Sequence, residues 1–150
     1  NTIEIVTSKK RRKRTLFFQE MRFKFITTKP ALLFGFTKII RDEKELFIAE
    51  PEKALLDAAL FKSMSLSEIK DIILLHFSRL HKDKLITYLL KIGNKSLMKR
   101  FGYLLDQAGK DYYPRLHHHL DHNFISFDYA LPQKGNKNAK WRIIDNVTKR

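Results

Sequence analysis

Cysteine is missing from all 150 residues. That excludes disulfides and thiolate metal sites and is compatible with a reducing compartment. No apolar run approaches the roughly 20 residues that a membrane-spanning helix needs, and the first residues lack a secretory-signal pattern. A cytoplasmic location is therefore expected. The chain opens without Met and in the middle of a strand-like pattern, which suggests a piece of something longer. Glycine is scarce: five residues, scattered singly, so no glycine-rich loop is present to cradle a phosphate. Nor is there a Gly-x-Ser-x-Gly elbow, a cysteine nucleophile or a paired-carboxylate motif. No cofactor is implied, and a non-enzymatic protein is the expectation.

Acids are also few, 16 against 30 Lys and Arg, for a net charge of +14. The distribution says more than the total. Residues 1–41 hold 11 Lys and Arg against 2 Asp and Glu; residues 42–109 hold 11 against 10; residues 110–150 hold 8 against 4. The middle is nearly neutral and the positive field belongs to the flanks. Such a balance points to a polyanion, with nucleic acid ahead of anionic lipid because the basic segments form no amphipathic helix with an apolar face. A hydrophobic content of 43% with 12% aromatics argues for a folded chain. Its length suits one domain.

Three regions follow from the periodicities: strand-rich 1–49, helical 51–109 and a strand-containing tail, 110–150. Thr2 to Thr7 alternates and is β-branched. Lys9, Lys10, Arg11, Arg12, Lys13 and Arg14 then run in succession; six like charges cannot share a buried face, so this is an exposed loop or hairpin tip. In the next strand Met21, Phe23 and Phe25 share one face and Arg22 and Lys24 the other. Aromatics interleaved with cations can stack on bases, but here they lie opposite the cations and read as core. Phe36–Arg41 and Glu45–Ala49 are further strands around a turn at Asp42-Glu43-Lys44.

At Glu50-Pro51 the pattern changes to helix without a loop. Pro51 suits the first helical position and Glu52 the positive end of the helix dipole. Ser65 and Glu68 form a capping box ahead of Leu66, Ile69, Ile73, Phe77 and Leu80. A short helix over Lys84–Ile92 ends at Gly93, and Asn94 caps the next, which buries Leu97, Phe101, Leu104, Leu105 and Ala108. Gly102 inside it costs about 1 kcal/mol against Ala and marks the close approach of a neighbour. Phe124–Leu131 and Lys140–Asp145 read as strands flanking a polar loop, Pro132–Ala139. The expected fold is α+β: a mainly antiparallel N-terminal sheet, a central bundle of about four helices, and a C-terminal strand pair that joins or covers the sheet.

Two places tempt a chemical reading. On a helix His118 and His122 would face the same way at zinc-ligand spacing, but no Glu stands between them in the catalytic pattern. No metal is therefore assigned; a small metal-dependent nuclease using His117–His122 with Asp121 is the minor alternative. Asp57 sits among apolar residues on the first helix, and Lys53, four residues back, is its natural partner in a structural pair. Lys99 and Arg100 either extend the basic surface or balance Asp57 and Asp106.

Three segments add a resemblance. Ile48-Ala49-Glu50-Pro51-Glu52-Lys53-Ala54-Leu55-Leu56-Asp57 resembles the "PEKALLD" signature of the AbiEi family, antitoxins of type IV abortive-infection toxin–antitoxin systems. Gly93-Asn94 with Leu97, Arg100, Gly102 and Tyr103-Leu104-Leu105 is similar to the family's "GN..L..R.GYLL" helix. Lys140-Trp141 with Asn146 resembles its closing "KW…N" strand. The resemblance spans roughly residues 48 to 146. It implies a phage-defence antitoxin and transcriptional regulator that counters an AbiEii-like nucleotidyltransferase toxin, without a stable complex in the original type IV description. Family members usually carry an N-terminal winged-helix DNA-binding domain. No helix-turn-helix precedes residue 41, so the chain reads as the C-terminal part alone. Glu50 stands where a Ser, Thr or Asp cap is expected. The signature residues Pro51, Glu52, Lys53, Leu56, Asp57, Gly93, Asn94, Arg100, Gly102, Trp141 and Asn146 are read as structural. Lys9–Arg14, Arg22 and Lys24 are read as the nucleic-acid contacts. A stand-alone nucleic-acid-binding module that shares only the fold is the other reading.

Overall fold

Period-two alternation shapes the first third of the chain and 3.6-residue spacing the middle. A computed structural model describes residues 1–147. Among these residues the fold is α+β, with five α-helices and eight strands in three sheets. The chain divides into two compact units, Asn1–Ala49 and the residues from Glu50 onward. The boundary falls where strand pattern gives way to Pro51.

In the first unit, β1 (Thr2–Thr7), β2 (Thr15–Phe18) and β3 (Met21–Thr27) form a sheet in the order β1-β3-β2. β4 (Phe36–Arg41) and β5 (Lys44–Ala49) make a separate antiparallel hairpin. The N-terminal strands thus pair as two sheets, and β1 runs parallel to β3. The reason lies in the connections. A two-residue turn, Gln19-Glu20, holds β2 against β3, so β1 is left with the other edge. The segment from Ser8 to Arg14 must then cross the end of β3, and a crossing of that kind reverses β2 but not β3. Both hairpin turns have positive φ at their two central residues, 45° and 30° at Gln19 and Glu20 and 49° and 60° at Asp42 and Glu43. This is the left-handed backbone conformation whose turn matches the right-handed twist of the paired strands, here without glycine.

The second unit holds the core. Its helices are α1 (Pro51–Leu60), α2 (Leu66–Leu75), α3 (Lys82–Ile92), α4 (Lys95–Gln107) and a single turn, α5 (Tyr113–Leu116). The capping box forms as its spacing predicts: the Ser65 side chain accepts from Glu68 N–H, and Glu68 reaches back to Ser65 N–H. α2 ends earlier than its apolar pattern, at His76, leaving Phe77 and Leu80 in the connection, where Leu80 is still buried. Gly93 adopts the left-handed conformation that stops α3, and the Asn94 side chain accepts from Leu97 N–H to start α4. Leu56, Leu66, Ile69, Leu85, Ile86, Leu89, Phe101 and Leu105 are wholly buried together with Trp141 and Ile143. Each such side chain contributes on the order of 1.5–3 kcal/mol of transfer free energy.

The tail folds differently from its alternation. Only Ile125–Ser126 (β6) of the expected Phe124–Leu131 strand is extended in a sheet. Phe127 N–H still donates to the Ile144 carbonyl, and from Asp128 side chains take over: Asp128 N–H donates to Asn146 Oδ1 and Ala130 N–H to Asp128 Oδ1, both at 2.9 Å. The last strand begins at Ile143 rather than Lys140, because Trp141 N–H is held by Asn138 Oδ1 and Arg142 takes φ 55°. β7 (Asn136–Asn138), inside the expected polar loop, and β8 (Ile143–Asp145) complete a small sheet ordered β6-β8-β7, so the C-terminal strands pair with one another.

Candidate nucleic-acid interface

The basic run of the first unit is a solvated arch. Lys9 to Arg14 are all exposed. Thr7 Oγ1 accepts from Lys9 N–H at 3.1 Å and Arg14 C=O accepts from Phe25 N–H at 2.8 Å, which pins both ends to the sheet. Arg11 folds back with its guanidinium 4.7 Å from the Phe25 ring centre. Here the cation and the aromatic lie against each other, an attraction worth about 0.5–1 kcal/mol at an exposed site.

The strand register of the sheet decides which side chains share a face. In register, Phe17 lies opposite Arg22 and Thr15 opposite Lys24, while Thr2 and Glu4 flank the same two cations from β1. Lys24 donates to Glu4 at 2.8 Å, so its charge is partly compensated. Arg22 is exposed, and none of the ion pairs among the described residues involves it. The other face holds Met21, Phe23 and Phe25. These were expected as core, yet they are only half-buried, and no residue of Asn1–Ala49 is fully buried. A three-stranded sheet and a hairpin are too thin to enclose a side chain from both sides. Phe17, 76% exposed, stands on the cationic face. Sequence reasoning does not single it out, because Leu16-Phe17-Phe18 is continuously apolar and only the register says which member turns toward Arg22.

The signature residues lie in the second unit, and each has a structural task there. Lys53 donates to both carboxylate oxygens of Asp57 at 2.6 Å, buried within α1. Burial pushes the Asp57 carboxyl above its usual range, and the Lys53 ammonium pulls it back. Glu52 is buried and accepts from the N–H of His81, the residue that caps α3. Pro51 opens α1. Glu50 makes no cap hydrogen bond; its carboxylate instead accepts from Tyr88 Oη at 2.5 Å and pairs with Lys84 at 3.4 Å. That bond to the phenol pushes Tyr88 up to about 12.

Lys99 and Arg100 are withdrawn from any basic surface, and neither meets Asp57 or Asp106. The ammonium of Lys99 is buried against Asp121 Oδ1 and the Asn123 carbonyl, both at 2.5 Å. Arg100 Nε donates to the carbonyls of Ser126 and Phe127 at 3.1 and 3.0 Å. Asp106 accepts from Trp141 Nε1 at 2.8 Å and from Lys140 at 2.9 Å. The approach foreseen at Gly102 is the Trp141 ring, which a Cβ there would penetrate. Asn146 accepts from Asp128 N–H and donates to the carbonyls of Asp128, Leu131 and Pro132.

The histidine run does not form the helical pair its spacing allows. α5 tightens into a 3-10 turn at His117–His119 and Leu120 is extended, so His118 and His122 are not one turn apart on a helix. Among the described residues no group of three or more His, Asp or Glu is placed to hold a metal ion. An apolar concavity of about 460 Å³ lies along α1 and α2, with His76 and Arg79 its only polar side chains. No helix among the described residues is long and apolar enough to cross a membrane. No protein-family model, curated protein or solved structure matches the chain.

Proposed function

We propose that the chain is a non-enzymatic antitoxin and regulatory domain of the AbiEi type, with its first unit as a nucleic-acid-binding surface. One observation carries the binding half of this reading. Eleven cations against two acids lie within residues 1–41, six of them on an exposed arch pinned to the sheet at both ends. Charge at that density releases condensed counterions on contact with a phosphate backbone, whatever the base sequence. The antitoxin half rests on the three signature segments. In the second unit, Gly102 and Trp141 touch, and Lys53–Asp57, Asn94 and Asn146 each fix a helix end, a helix or a loop. Those residues hold a scaffold and leave the contacts to the basic strands.

Two measurements test the two halves. Changing Lys9–Arg14 to Ala should weaken binding to every DNA duplex alike. If about four phosphates are contacted, the log–log salt slope should fall by roughly 3 to 4. An unchanged slope removes the arch from the contact surface. For antitoxicity, the chain is expressed in cells making the cognate nucleotidyltransferase toxin. Rescue is expected; failure by a well-folded chain leaves a nucleic-acid-binding module that shares only the scaffold.

A further inference from the structure

We propose that the β2–β3 face presenting Phe17 beside Arg22 is a stacking platform for unpaired bases, so that the first unit prefers single-stranded nucleic acid to duplex. The inference deepens the binding reading above and rests on it. Phe17 is 76% exposed, the most exposed of the aromatic side chains in this unit. It is placed on the sheet face that also carries Arg22 and Lys24, not on the face with Phe23 and Phe25. Phe18 and Phe47 are exposed too, at 61% and 65%, but Phe18 lies on the Met21 face and Phe47 faces Lys38, which is paired with Glu45; Phe17 alone of the three faces a cation outside the ion pairs of the described residues.

Its neighbours supply what an unpaired strand requires. Directly opposed residues on antiparallel strands hold their Cβ atoms about 5 Å apart, so a base lying on the Phe17 ring brings its own phosphate within reach of Arg22. Lys24 lies two residues further along β3 on the same face, where its pair with Glu4 draws it toward β1, so Arg22 is the cation that serves the Phe17 ring directly. The Lys9–Arg14 arch crosses the end of β3 beyond Lys24 and adds positive field there, although its Arg11 turns to the opposite face, against Phe25. In a duplex the base faces are already stacked on each other and Phe17 would meet only sugar and phosphate edges. An unpaired base offers its whole π-face, and every base has one, so the platform is tolerant of sequence.

The test uses the full chain and fluorescence anisotropy at one fixed salt concentration. The probes are oligothymidylate and oligouridylate of about 12 nucleotides, an abasic strand of equal length, and the corresponding duplex. Both single strands with bases should bind about tenfold more tightly than the abasic strand and also more tightly than the duplex; tighter duplex binding overturns the platform. Phe17→Ala should abolish that difference while leaving the abasic affinity unchanged, and Phe17→Trp should keep it. Arg22→Ala should weaken all probes alike. Because Phe17 is exposed, Phe17→Ala retains the fold, which circular dichroism verifies. The tighter of the thymidylate and uridylate probes names the natural source. Equal binding of abasic and base-bearing strands, or an unaffected Phe17→Ala, overturns the platform and leaves polyanion binding standing. Absence of binding to any probe, the duplex included, overturns both.

Discussion

Replacing Lys53 by Met removes the ammonium from the buried pair of α1 and keeps the volume of the side chain. Lys53 is 1% exposed and the Asp57 side chain 10%, so water cannot take over the lost contact. Removing one partner of a buried ion pair costs about 3–5 kcal/mol, because the other charge is left uncompensated. Against a total stability of about 5–15 kcal/mol this is a large fraction. The loss should also depend on pH with a definite sign. Burial already raises the Asp57 carboxyl, and without the cation it rises further. Between its unfolded value, about 3.9, and that raised value, the folded chain keeps a proton that the unfolded chain has released. Stability therefore falls as pH rises through this window, by up to about 1.4 kcal/mol per pH unit. The Lys53→Met variant should be weakest at neutral pH and recover at acid pH, as the pH falls through the raised value toward the unfolded one. Adding Asp57→Leu removes the stranded charge and should restore most of the loss at all pH values. Urea unfolding followed through Trp141, the single tryptophan and fully buried, reads all three. A Lys53→Met loss below about 1 kcal/mol, the same loss at both pH values, or no recovery in the double variant would refute the argument.

Gly102→Ala sets two effects against each other: about 1 kcal/mol of helix propensity gained and about 1–3 kcal/mol of overpacking against the Trp141 ring. Net destabilisation with a red-shifted Trp141 emission is expected, and a stabilised variant would show that the ring can retreat. Asn146→Ala leaves Asp128 N–H and up to three carbonyls without their partner, at about 1–3 kcal/mol for each buried group. Thermal unfolding should show a loss of at least about 2 kcal/mol. Asn146→Asp, which keeps the acceptor but sets a buried carboxylate oxygen against three carbonyls, should lose at least as much as Asn146→Ala at neutral pH.

Local chemistry was readable from sequence wherever partners lie within a few residues. The Ser65–Glu68 box, the Gly93 stop, the Asn94 cap and the Lys53–Asp57 pair all span four positions or fewer. Gly102 was readable for another reason, since a costly residue inside a helix needs a neighbour to justify it. What stayed hidden depends on contacts far along the chain. The parallel pairing of β1 follows from which edge of β3 the Gln19-Glu20 turn leaves open. The short β6 follows from Asn146, 18 residues beyond Asp128, capturing its N–H. The sequence leaves Lys99 between a basic surface and a pairing with Asp57 or Asp106, because nothing nearby announces Asp121. At the candidate interface the Lys9–Arg14 arch was visible through its like charges alone, whereas Phe17 needed the register of two strands.

The absence of any fully buried side chain in Asn1–Ala49 has a thermodynamic consequence. These strands draw their order from backbone hydrogen bonds and half-covered side chains, so their opening free energy belongs to the low end of what a chain can have. A ligand bound only by the ordered strands raises that free energy by RT ln(1 + [L]/Kd). For a unit with so little of its own, such a term is a substantial part of the whole. The strands would then report occupancy by becoming slower to exchange their amide hydrogens, with the cored helices as an internal reference.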